Sequence, residues 1–143
     1  MFQSFFPQPK MFFSSLAIWC GLLILVWYSF GKTIGEAIGF DLSETEQVIG
    51  LGHFITSEFL WFDTFFAFGT VAFFLVWRSR SPHEWQIWSV LGSALLIYLS
   101  YASVQVSVVI NAWYGPFYND IQTSLTGDGG ITAGDLYGHF LVF

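Results

Sequence analysis

Side chains able to do chemistry are sparse in this chain. Asp63 is the only charge in the run from Phe59 to Trp77, and Asp120 directly follows a run, Trp85 to Asn119, that holds neither charge nor histidine. A carboxyl placed among apolar residues is expensive to ionise, so both are candidates for binding a proton, with solvation at a membrane interface as the plainer role. His83-Glu84 has the first letters of a zinc-binding helix motif, but the second histidine belongs four residues on, where Ile87 stands. Ser81, Pro82 and Glu84 read instead as a capping box opening a helix. Cys20 is the single cysteine, which excludes a disulfide framework or a cysteine metal site. There is no GxxxxGK[ST] loop, no nucleophile elbow and no basic surface. ATP hydrolysis and nucleic-acid binding therefore have no residues here, and neither a cofactor, a metal nor an enzymatic activity is expected.

The longest uncharged run carries a polar row. At roughly 100° per residue, Gln86, Ser89, Ser93, Ser100, Ser103, Ser107 and Asn111 share a helix sector of about 100°. Tyr114, Tyr118 and Gln122 continue that face if the helix persists through Pro116. Two roles stay open for the row. Serine is small and returns its hydroxyl to its own helix, which suits helix packing. Polar side chains at membrane depth also face cavities, which suits the wall of a water-filled path. Gln105 lies off the row, where an interhelical hydrogen bond is its expected role. Trp113, Tyr114, Phe117 and Tyr118 suit an aromatic belt at the headgroups.

These residues need long helices to place them. Of 143 residues, 55% are hydrophobic and only 10% charged, the pattern of an integral membrane protein. Spans are expected at about 11–31, 59–77 and 85–114, each long enough for the roughly 30 Å hydrocarbon layer. Lys10, Arg78 and Arg80 flank them so that the N-terminus and the loop between the second and third spans are cytoplasmic. The acidic segment from Gly31 to Asp63 then faces outward, as does the end of the chain. Gly31, Gly35 and Gly39 are spaced for close helix packing or for a bend. Ser43–Glu46 reads as a capping box, Thr126–Gly130 as a turn, and Thr132–Asp135 as a capping box opening a fourth helix at 133–143. The remaining residues are too few to cross a bilayer. The chain is therefore expected to be the N-terminal part of one transmembrane domain, residues 1–143, that continues beyond it.

Three stretches carry a family resemblance: "MFQSFFPQPK", "SPHEWQIWSVLGSALLI" and "NAWYGPFYNDIQTSL". Together they resemble the N-terminal region of the SbmA/BacA family of bacterial peptide uptake transporters. The signature residues are Pro82, His83, Trp85, Asn111, Trp113, Tyr114, Pro116, Phe117, Tyr118 and Gln122. The last stretch is also similar to a distant group of ABC transporter membrane domains. The resemblance implies an all-α homodimer in the bacterial inner membrane, with a core like that of ABC exporters but no nucleotide-binding domain. It implies peptide import driven by the proton gradient, antimicrobial peptides included. Gln105 stands where relatives carry glutamate, and an amide does not titrate. A membrane scaffold or assembly protein without transport, or a nonfunctional truncated remnant, is the alternative reading.

Overall fold

Three long helices dominate the structure, a computed structural model that describes residues 8–43, 48–127 and 130–142. Helix α1 is Pro9–Ile38 and α2 is Ser57–Arg80. Helix α3, Ser93–Thr126, continues a π-helical turn, Ile87–Gly92. A short α4, Ala133–Gly138, runs into a 3₁₀ turn, His139–Val142, and another 3₁₀ turn, Leu51–Ile55, precedes α2. No strand occurs among the described residues. Three helices, Pro9–Ile38, Ser57–Arg80 and Ile87–Thr126, are long and apolar enough to cross a membrane. The last has 40 residues. At about 1.5 Å per residue it is roughly twice as long as the hydrocarbon layer is thick.

Helix α1 starts at Pro9, whose missing N–H falls in the first turn, where no intrahelical partner is needed. It runs to Ile38, a full two turns past the expected end at residue 31, because Gly31 and Gly35 pack instead of bending the chain. A Cβ on Gly35 would lie 2.6 Å from Leu42 Cδ1 and 3.0 Å from Trp61 Nε1. Gly39, at φ 110°, then ends the helix in the left-handed region that glycine adopts without penalty, its N–H bonded to Gly35 and Glu36 carbonyls. Gly69 of α2 gives a second close approach, against Leu23.

The core sits at the Arg78 end of the bundle. Phe12, Phe73, Trp77 and Val90 are buried together, flanked by Leu16, Trp19 and Phe74. Indole N–H groups tie α1 to α2 there: Trp19 Nε1 donates to the Gly69 carbonyl at 3.0 Å, and Trp77 Nε1 to Ser15 Oγ at 3.0 Å. At the opposite, Gly39 end, Trp27 stacks on Trp61 at 6.1 Å and meets Phe65 at 5.1 Å.

Local signals had mixed outcomes. Thr132 and Asp135 form the expected reciprocal capping box at the start of α4. The one expected at Ser81 does not form. Ser81 closes α2 instead, its N–H bonded to the Trp77 carbonyl, and the Trp85 N–H is taken by His83 Nδ1 at 3.2 Å. The next helix therefore begins at Gln86, because the histidine ring nitrogen replaces the serine hydroxyl as acceptor. Asp41 Oδ1 takes the Ser43 N–H at 3.1 Å; the capping box expected at Ser43–Glu46 falls on residues 44–46, outside the described residues, as do Asp128 and Gly129 of the expected turn.

Candidate transport site along helix α3

Helix α3 meets the rest of the chain through one face. Tyr98 Oη donates to Asp63 Oδ2 of α2 at 3.1 Å. One turn on, Tyr101 stacks against Phe62, ring centres 4.3 Å apart, and Phe59 at 6.1 Å. Gln105 Oε1 accepts from His53 Nε2 at 3.1 Å, and Val109 is 2% exposed. The i, i+3 and i, i+4 spacing of Tyr98, Tyr101, Gln105 and Val109 makes one continuous contact stripe. Gln105 does find a long-range partner, but on the 3₁₀ turn before α2, not on another long helix.

Asp63 stands out within this seam. Its Oδ1 is buried with no hydrogen-bond partner among the described residues, while Oδ2 has only the tyrosine. The groups that face it from α3 are phenols, not cations.

The polar row turns the other way. Ser93, Ser100, Ser103, Ser107, Asn111, Tyr114 and Tyr118 are all exposed, on the side of α3 away from α1 and α2. Ser100 Oγ donates to the Leu96 carbonyl at 2.9 Å, and Ser107 Oγ to the Ser103 carbonyl at 3.1 Å. Gln86 does not belong to this surface. It is 5% exposed, with Oε1 buried and unpartnered among the described residues, and Ser89 is half-buried. The π-helical turn is the reason: its i→i+5 bonding holds more residues per turn than an α-helix, so positions before Ser93 rotate away from the angles that a regular helix gives.

The helix passes through Pro116 unbroken. Beyond the membrane-length portion its two sides do different work. Trp113 stacks on Phe117 at 4.6 Å, and Trp113 Nε1 donates to the His139 carbonyl at 2.7 Å. His139 Nε2 donates to Asp120 Oδ2 at 2.7 Å, and Phe140 packs on Phe117 at 5.4 Å. Asp120 thus belongs to a clasp that folds α4 and its 3₁₀ turn back on α3. Tyr114 and Tyr118 lie on the exposed side, in contact with each other at 5.6 Å. Gln122 is also exposed.

A further opening lies at the Gly39 end. A cleft of about 1210 Å³ runs between α1, α2 and the 3₁₀ turn, with Trp61, Phe59 and Tyr101 in its walls and His53 and Gln105 at one side. Among the described residues no group of three or more histidine, cysteine or acidic side chains is placed to hold a metal.

Residues 82–143 match the family model described as SbmA/BacA-like family. That segment contains the linking turn at Pro82 and His83, all of α3, and the clasp on Trp113 and Asp120. It takes in each signature residue from Pro82 to Gln122.

Proposed function

We propose, from the match of residues 82–143 to the SbmA/BacA-like family model, that the chain works in a multi-pass membrane transporter that imports peptides, antimicrobial peptides among them. The family match is the observation that carries this reading. The site is the exposed side of α3 from Ser93 to Tyr118, lining the peptide path, with Gln86 and Ser89 excluded from it by the π-helical turn. Import runs on the proton gradient across the bacterial inner membrane. Asp63 is the first candidate for the proton, since its free oxygen lies inside a membrane-length helix next to Tyr98. Asp120, paired with His139 in the clasp, is the second. The N-terminus and the Arg78 end face the cytoplasm, following the arginines. The Gly39 end and the clasp face outward. A homodimer with an ABC-exporter-like core and no nucleotide-binding domain completes the assembly, and its second copy supplies the opposite wall of the path.

Uptake of a fluorescent cationic peptide tests this in cells that express the gene encoding the chain. Uptake above that of control cells, abolished by a protonophore, is the expected result, and Asp63→Asn lowers it. Uptake that survives the protonophore and falls only on ATP depletion would contradict the reading, as would no uptake at all.

A further inference from the structure

The cleft at the Gly39 end is separate from the polar row and from the Asp63–Tyr98 contact. Its floor is mainly aromatic and aliphatic: Phe59 and Trp61 are buried, Trp61 Nε1 with no partner among the described residues, and Leu42 closes over Gly35. Its rim carries both signs of charge on exposed side chains, Lys32 from α1, Asp41 from the segment after α1, and Glu58 from the first turn of α2. Asp41 is fixed in place by two hydrogen bonds from Ser43, which hold its carboxyl below the usual carboxylate range and keep it charged at neutral pH.

Position and size restrict what such a cleft takes. It lies where α1 ends and α2 begins, the depth at which membrane-crossing helices meet lipid headgroups. At about 1210 Å³ it is larger than the roughly 300–1,000 Å³ of pockets that enclose compact small molecules, and it is open on one side. Tyr28 at its edge and Ile24 one turn away are both exposed, so an apolar track leads from the cleft along α1 toward the bilayer interior. An amphiphile with a charged head and long tails matches this layout.

We propose that the cleft is a phospholipid site selective for a zwitterionic headgroup with a primary ammonium. The ammonium lies against Asp41 and Glu58, the phosphate toward Lys32, and the tails follow Ile24 and Tyr28. Carboxylates accept hydrogen bonds from an ammonium, which a trimethylated head lacks. An anionic headgroup without the ammonium leaves both carboxylates unpaired. The site is independent of the transport reading, because it uses no residue of the α3 row and needs no peptide.

Photoactivatable phosphatidylethanolamine, phosphatidylcholine and phosphatidylglycerol, each offered to the full chain in nanodiscs, decide the matter, with adducts mapped by mass spectrometry. Ethanolamine-lipid adducts are expected on the segments 24–32 and 56–62, roughly tenfold above the other two lipids, as a charge-assisted hydrogen bond in place of none implies. Asp41→Asn with Glu58→Gln removes that preference, and Lys32→Ala lowers labelling by all three lipids, since each carries the phosphate. Equal labelling by all three lipids at this cleft, or adducts spread evenly around the helices, would overturn the proposal. Loss of adducts on adding a cationic peptide, with no lipid preference beforehand, would also overturn it and assign the cleft to peptide.

Discussion

On one side of α3, Tyr98, Tyr101 and Gln105 meet α2 and the 3₁₀ turn and Val109 is buried; on the other, Ser100, Ser103, Ser107 and Asn111 stand exposed. Both sides carry polar groups, and they differ in where those groups find partners. On the packed side the partners come from distant sequence, His53 and Asp63. On the open side Ser100 and Ser107 bond carbonyls of their own helix, so their hydroxyls are satisfied whether lipid, water or protein lies outside. A row of serines is therefore weak support for a water path. Asn111 and the tyrosine hydroxyls are stronger, because an amide has more donors and acceptors than one backbone carbonyl can satisfy.

The comparison is broken most severely by placing a charge on each side in turn. Val109→Asp puts a carboxylate into a fully packed position and should lose about 3 kcal/mol or more, leaving little folded protein in the membrane fraction. Ser103→Asp, at an exposed position that the proposed path keeps in water, should leave most of the protein folded; equal loss at both sites would show that lipid covers the open side. Next in size, Tyr98→Phe removes the only hydrogen bond to the Asp63 carboxyl among the described residues and should lower stability by about 0.6–1.7 kcal/mol, read by unfolding in detergent. A double-mutant cycle with Asp63→Asn should show that the two substitutions are not additive. Asn111→Leu should change stability by less than about 0.5 kcal/mol, yet reduce peptide uptake severalfold.

The smallest effect lies outside the three membrane-length helices. Thr132 donors hold the Asp135 carboxyl below its ordinary range. The capping box therefore adds stability above the unfolded carboxylate's titration, at about pH 4, and loses it as pH falls through the lowered folded value. Amide exchange in α4 should speed up only in that acid range, and Asp135→Asn should remove the pH dependence.

Much of the helical layout was legible in the uncharged runs, because a membrane-length apolar segment has few other solutions. Ends were less so. Gly35 read equally as bend or packing until Leu42 and Trp61 were placed against it, and tertiary contact decided it. The π-helical turn left no pattern in the letters of Ile87–Gly92, and missing it put Gln86 on the wrong side of the helix. His53 escaped attention because sequence gives the angle of Gln105 but not the chain that folds beside it. Asp63 was visible as a lone charge in an apolar run, and only the structure supplied Tyr98. The clasp between Asp120 and His139 was hidden for the same reason, although a histidine after a capping box, near an acidic helix end, was its available signal.

The open side of α3 is tested most directly by cysteine accessibility, in full-length protein with Cys20 replaced. Exposure within the chain does not distinguish the two surroundings, since Leu99 and Val106 are 54% and 45% exposed and Ser100, Ser103 and Ser107 are exposed as well. A water-soluble thiol reagent does distinguish them, because it labels thiols in water and spares those in lipid. Cysteines at Ser100, Ser103 and Ser107 should react while those at Leu99 and Val106 stay protected. Equal protection at all five positions would contradict a peptide path along this helix.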